Sequence, residues 1–292
     1  MPKIGLSSYS LARAVGGGEM TFCESIRWAA ENGAEHIEIV PIAFDLTKDT
    51  QLLHEIIRTA EDCGVPISNY SIGANFTSED DAALRAEIER VKREVDVAAA
   101  LGVRFMRHDV ASFGGSYENN RIQRFYKLLP QLAAGAAEVA EYARQYGITT
   151  SVENHGWFMN GSERLITMVE TVARDNFRLT MDVGNFVCVD EAPEIAVRRC
   201  LPYASVVHFK DFYLRRQPAE QLNAGANCWF PSQFDTALCG AVVGWGDLPI
   251  ARLARQIRDG GFDGFISLEF EGAEDCKLGS KAGLAMLKQL FA

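Results

Sequence analysis

The stretch GITTSVENHG, residues 147–156, decides how this chain is read. A glycine opens it, and Ile148–Val152 is rich in the β-branched residues that favour a strand. The run drives without a break into a carboxylate, an amide and an imidazole: Glu153, Asn154 and His155. A strand that delivers an acid and a base at its C-terminal end raises the question of what surrounds it.

Seven further β-rich runs begin near Lys3, His36, Pro66, Val103, Phe177, Ala204 and Gly264, and the quoted run begins at Thr149. Consecutive starts lie 27 to 46 residues apart, except for a gap of 60 before the last. Most of these spacings fit one strand and one crossover helix. The intervening stretches carry helix signals. Thr21 and Glu24 form a capping box before FCESIRWAAENG, which stops at Gly33. Ser78 precedes the acidic first turn of a helix that ends at Gly102, and Ser162 can cap ERLITMVETVA. Leu284, Leu287 and Leu290 make the apolar face of a last helix near Asp275 to Phe291.

Strand–helix alternation implies a parallel sheet covered by helices. Eight units in 292 residues fit a single-domain (β/α)8 TIM barrel of the α/β class, spanning residues 1–292. The competing architecture, an open doubly wound sheet, asks for a G-x-G-x-x-G turn after the first strand, and VGGGEM does not supply one. The long gap marks an insertion at about residues 212–243, polar and without period, expected as a loop over the C-terminal face after the seventh strand.

Composition narrows the function. Hydrophobic residues make up 48% of the chain and charged residues 23%, both ordinary for a globular protein. The net charge of −10 argues against a nucleic-acid partner, which calls for a basic surface. Seven cysteines, an odd number without a CxxC pair, fit reduced thiols and a cytoplasmic location. No apolar run is long enough for a membrane span, so no membrane partner is expected.

In a barrel, catalytic groups sit at the C-terminal ends of the strands. The fifth strand ends at Glu153 and the sixth, FRLTMD, at Asp182; the seventh, ASVVHFKD, carries His208, and the eighth, GFISLEFEG, carries Glu269. Any one of these alone reads as a solvated or hydrogen-bonded residue. Together, on consecutive strands at matching height, three carboxylates and one imidazole suit a single divalent ion, Mn2+ first and then Mg2+, Co2+, Fe2+ or Zn2+. Such an ion, chelating a carbonyl and a neighbouring hydroxyl, acidifies the C–H between them through an enediolate.

These stretches, SVENHG, LTMDVGNF, VVHFKD, VGWGDLP and GFDGFISLEFEG, resemble the xylose-isomerase-like barrels, also called the sugar phosphate isomerase/epimerase superfamily; IGLSSYSL and ENGAEHIEI extend the likeness diffusely into the first half. The resemblance implies metal ligands at Glu153, Asp182, His208 and Glu269, with Glu153 and Glu269 as the proton-transfer pair. Asn185 stands where the ketose epimerases of that superfamily place a substrate-binding histidine. The ENHG and DVGNF combination therefore points to larger or oxidised sugars such as keto-glycosides.

His155 shares the strand parity of Glu153 and is an added candidate acid or base. Lys210 either neutralises a substrate oxyanion or pairs with Asp211. One of Arg107 and His108 faces the pocket, and His108 joins the substrate-binding set. Arg215 at the start of the insertion is placed to grip substrate, Trp245 in the GWGD turn to wall the pocket, and Glu38 as a buried structural acid. The expected function is a divalent-metal-dependent keto-sugar isomerase or epimerase. The alternative is a lyase or dehydratase on a keto-glycoside or keto-polyol at the same site. A small-molecule sugar is the expected partner, in a homo-oligomer that is a dimer or tetramer. An abasic-site endonuclease would need more histidines than the five present, and a non-enzymatic sugar-binding barrel would not need two bases.

Overall fold

The eight β-rich runs each become a strand, and the helix signals between them become the outer layer. In the computed structural model, residues 1–222 and 228–292 are described. In chain order the strands are β1 (Lys3–Ser7), β2 (Ile37–Ile39), β3 (Ile67–Ile72), β4 (Phe105–His108), β5 (Thr149–Glu153), β6 (Phe177–Asp182), β7 (Ala204–Phe209), β8 (Asp211–Arg215), β9 (Phe230–Pro231), β10 (Ala237–Ala241) and β11 (Phe265–Leu268). The helices are α1 (Ala12–Gly16), α2 (Phe22–Glu31), α3 (Thr50–Asp62), α4 (Asp81–Ala100), α5 (Ile122–Arg144), α6 (Ser162–Val172), α7 (Pro193–Cys200), α8 (Ala219–Leu222), α9 (Ile250–Asp259) and α10 (Cys276–Phe291).

Strands β1 to β7 and β11 are parallel and close into a barrel, with β1 pairing to β11 through Leu6 and Leu268. Closure removes the open-sheet alternative. Period-2 alternation sorts the side chains. Ile37 and Ile39 are buried on the helix-facing side of β2. His36 and Glu38, of opposite parity, point into the barrel. At the N-terminal end His36 sits between the carbonyls of Lys3 and Ile266, with the Phe265 ring 4.8 Å away. This aromatic plug closes one end, so the polar residues of the other end face a single mouth.

Two expected helix starts shift. The Thr21–Glu24 capping box forms. The cap of α4, however, is Asp80 and not Ser78; its carboxylate accepts from the Ala83 N–H. Ser162 is the first residue of α6, and its N–H and hydroxyl both donate to Glu191. A tertiary carboxylate thus does the capping there.

The insertion after β7 is not the irregular loop its composition suggests. β8, β10 and β9 form an antiparallel sheet in that order, and every residue of β10 is buried. Gly240 of β10 also bridges to Gly272 beyond β11, which ties the small sheet to the barrel. Residues 223–227 of the insertion lie outside the described residues. No helix among the described residues is long and apolar enough to cross a membrane.

Candidate metal centre and substrate pocket

β5, β6, β7 and β11 are neighbours around the barrel, and their ends bring Glu153, Asp182, His208 and Glu269 together. One ligating atom from each lies within 4.8 Å of the others, and all four residues are buried. The register accounts for the common height: Asp182 pairs with His208 across β6 and β7, and His208 pairs with Ser267 across β7 and β11.

Each of the four is held from behind. His208 donates from Nε2 to Glu38 Oε2 at 2.8 Å, and Ser71 and Ser267 donate to the same carboxylate. That bond leaves Nδ1 as the free face of the ring, 3.4 Å from Glu153 Oε1 and 3.7 Å from Glu269 Oε1. Arg107 reaches Glu153 Oε2 at 2.7 Å, while Lys210 reaches Glu269 Oε2 at 3.1 Å and Glu271 at 2.9 Å. Ser7 donates to Glu269 Oε1. The side chain of Asn154 accepts from the Asp182 N–H and donates to the Asp182 carbonyl, locking the ends of β5 and β6 together. Asp182 Oδ1 accepts from the N–H groups of Gly184 and Asn185. Gly184 is required there, because a Cβ would lie 2.6 Å from the Lys210 carbonyl oxygen.

The electrostatics of the cluster are those of a cation site. Burial pushes the Asp182 carboxyl up to about 7, and the neighbouring Glu153 and Glu269 add to the push against the pull of Lys210. Burial also works against ionised Glu153, but Arg107 and His208 outweigh it and hold the group down at about 2. His208 is desolvated, yet Glu38, Glu269 and Glu153 raise its pKa well above the ordinary value. Asp182 Oδ2 and His208 Nδ1 are buried and find no hydrogen-bond partner among the described residues. Buried polar atoms are rarely left so. Two buried polar atoms without a partner, beside two glutamates, fit a divalent ion with oxygen and imidazole ligands that would displace the proton from His208 Nδ1.

Glu153 and Glu269 of the cluster line a pocket of about 220 Å³ at the C-terminal mouth, with Asp182 and His208 buried beside them. His155 lines it, 48% exposed, with Nδ1 3.3 Å from Asp109 Oδ1. The pocket walls around the ring partly desolvate it and oppose its charge, but Asp109 outweighs this and raises the pKa of His155. Asn185 and Lys210 also line the pocket.

Three expected substrate contacts lie elsewhere. His108 points away from the pocket: it is buried against Phe76 and Phe177, and its Nδ1 contacts the Asp109 carbonyl. Arg107, of the opposite parity, takes the pocket position. Arg215 is drawn out to Asp247 at 2.8 Å. Trp245 is 52% exposed at the surface, because the turn that carries it folds onto Asp211, which accepts from the N–H groups of Gly244, Gly246 and Leu248. Asp211 is thereby taken up, and Lys210 pairs with Glu269 and Glu271 in its place.

The aromatic wall comes from Trp157, Phe212 and Phe230. Sequence reasoning missed them, along with Tyr9, Glu271 and Asp109. The Asp that follows Arg107-His108 at the end of β4 was the one legible signal among these.

The sequence profile described as xylose isomerase-like TIM barrel matches residues 26–290. No curated protein matches the chain significantly. Among solved structures, the probable 3-DHS dehydratase AsbF from Bacillus anthracis superposes with a TM-score of 0.73 at 17% identity, covering 99% of each chain. The 3-keto-D-glucoside 4-epimerase YcjR from E. coli superposes at 0.71 and 15% identity over 99% of this chain and 100% of that one. A D-psicose 3-epimerase gives 0.72 at 18% identity over 99% of each chain. With 265 of its residues inside the family profile and a closed eight-stranded barrel, the chain belongs to the xylose isomerase-like TIM barrel family.

Proposed function

We propose that this protein is a divalent-metal-dependent isomerase or epimerase of a keto-sugar, moving a proton through an enediolate. The observation that carries the reading is the pair of partnerless buried atoms, His208 Nδ1 and Asp182 Oδ2, clustered with two glutamates that line a pocket. Glu153, Asp182, His208 and Glu269 would hold the ion, manganese first given three carboxylates and one imidazole. When bound, the ion supplies Lewis acidity to adjacent carbonyl and hydroxyl oxygens, and so lowers the pKa of the neighbouring C–H.

The chain's own residues do the rest. Glu153 and Glu269 come from strands separated by β6 and β7, so they flank the pocket floor from two sides. One, as a carboxylate, takes the proton from the substrate carbon; the other enters the cycle carrying a proton and returns it to the opposite face, so the two exchange protonation states in each turnover. Each glutamate has a fixed cation beside it, Arg107 or Lys210, that limits its rotation. General acid–base work of this kind contributes typically about 10²–10⁴ in rate. Asn185 lies 3.5 Å from Glu153 Oε1 and presents an amide to substrate hydroxyls. The aromatic wall excludes water from the carbanionic intermediate.

A second reading, elimination from a keto-glycoside or keto-polyol, is favoured by one observation. His155, on Asp109, is a third proton-transfer group in the same pocket, and a leaving oxygen needs such a donor. The likeness to structures described as epimerases and as a dehydratase supports both chemistries.

The test is deuterium uptake from D2O into a panel of free ketoses and 3-keto-glycosides, with Mn2+ in excess, for wild type, Glu153→Gln and Glu269→Gln. Wild type is expected to exchange one carbon-bound hydrogen and both variants to lose exchange. Wild-type uptake by either variant would defeat the two-base assignment. Product mass separates the readings, since elimination loses a fragment and epimerisation conserves mass.

A further inference from the structure

We infer that the pocket selects neutral, monosaccharide-sized ligands and excludes sugar phosphates and sugar acids; this rests on the keto-sugar reading above. The size argument is direct. The pocket of about 220 Å³ falls below the roughly 300–1,000 Å³ of sites for drug-sized ligands. It holds one sugar unit.

The charge argument is stronger. An anionic substituent needs a cation or an amide nest that is free to receive it, and the three basic side chains that line the pocket, Arg107, Lys210 and His155, are each already set against a carboxylate. Arg107 is shared between Glu153 at 2.7 Å and Asp109 at 3.2 Å, and it also donates to the Ile72 carbonyl. Lys210 is clamped by Glu271 at 2.9 Å and Glu269 at 3.1 Å, with Asp182 at 3.9 Å. Both cations are buried. A phosphate could take either one only by leaving a carboxylate without its partner, and uncompensated buried charge is strongly destabilising. The turn after β6, where successive N–H groups would cradle an anion, already serves Asp182 Oδ1. Glu153, Glu269 and Glu271 line the pocket, and both fixed cations among the lining residues, Arg107 and Lys210, are already spent on them.

The walls match a neutral sugar instead. Trp157 stands at φ 59°, directly after Gly156 at φ 69°. A left-handed backbone is a true outlier for so bulky a residue, and such strain clusters at functional sites. The strained turn sets the indole in the pocket wall, 6.0 Å from the Phe230 ring, which in turn lies 6.0 Å from Phe212. Aromatic faces receive the apolar C–H face of a sugar ring, while the carboxylates and Asn185 take up its hydroxyls.

The test is calorimetric binding to the Mn2+-loaded protein with matched pairs: D-fructose against D-fructose 6-phosphate, and a methyl 3-keto-glucoside against the corresponding 3-keto-glucuronide. The neutral member of a pair is expected to bind at least about tenfold more tightly, since the charged one must take Arg107 or Lys210 from a carboxylate. Glu271→Gln, which removes one clamp from Lys210, is expected to narrow that gap severalfold by strengthening the charged member. A charged member that binds wild type as tightly as its neutral partner overturns the exclusion and leaves the keto-sugar reading intact. Failure of every member to bind overturns the keto-sugar reading, and the exclusion with it.

Discussion

Replacing Glu38 by glutamine should loosen the metal centre from a residue that would not touch the ion. Glu38 is fully buried, and three donors converge on it: Ser71 Oγ at 2.7 Å, His208 Nε2 at 2.8 Å and Ser267 Oγ at 3.1 Å. A glutamine keeps the shape but offers one acceptor oxygen, and its amide nitrogen must confront one of the donors. Ser71 can rotate its hydroxyl to accept, so the amide settles there and its oxygen stays on His208. What is lost is the negative charge that fixes the His208 tautomer and makes Nδ1 a stronger base. Removing such an outer partner typically weakens metal binding about 10–100-fold, or about 1.4–2.8 kcal/mol. The assay is Mn2+ titration of metal-stripped protein against a competing chelator, with nitrogen-15 spectra of the His208 ring to read its tautomer. Asp182→Asn serves as the direct-ligand control and should lose nearly all affinity. An unchanged Mn2+ dissociation constant in Glu38→Gln, beside a damaged Asp182→Asn, would refute the claim that Glu38 positions His208.

Gly5→Ala should destabilise the fold, because the added Cβ would meet the His36 carbonyl oxygen at 2.2 Å and its ring at 2.6 Å; overpacking of this kind costs about 1–3 kcal/mol, read as a lowered urea midpoint. Acid should weaken the protein partly through His36. Burial depresses its imidazole to about 4 from an ordinary 6.5, so the unfolded chain takes the proton first. Its contribution is complete above about pH 6.5 and is lost as pH falls towards 4; His36→Gln should flatten the stability profile in that window, and a slope equal to wild type would count against the depressed pKa.

The sequence by itself determined the architecture and the four ends of the candidate metal site. Strand runs at crossover spacing, with capped helices between them, admit few alternatives to a parallel barrel. Period-2 parity then carries Glu153, Asp182, His208 and Glu269 to one mouth, because local pattern is enough to say on which side of a strand a residue falls. Where parity had no fixed reference, tertiary structure alone decided. Arg107 and His108 are adjacent, and only the register of β4 against β3 and β5 turns the arginine inward and the histidine onto Phe76 and Phe177. The insertion looked irregular because β8 and β10 pair across a long connection, and a strand buried by distant contacts carries no alternation of its own. Arg215 and Trp245 were drawn outward by Asp247 and by the turn that Asp211 organises, partners more than thirty residues away in the chain. The pocket wall at Trp157 and Phe230 depends on a left-handed turn and on that small sheet, and neither leaves a mark in local composition. The bond from His208 to Glu38 spans 170 residues, so only closure of the barrel could show that a buried acid on β2 orients the imidazole on β7 that is proposed as a metal ligand.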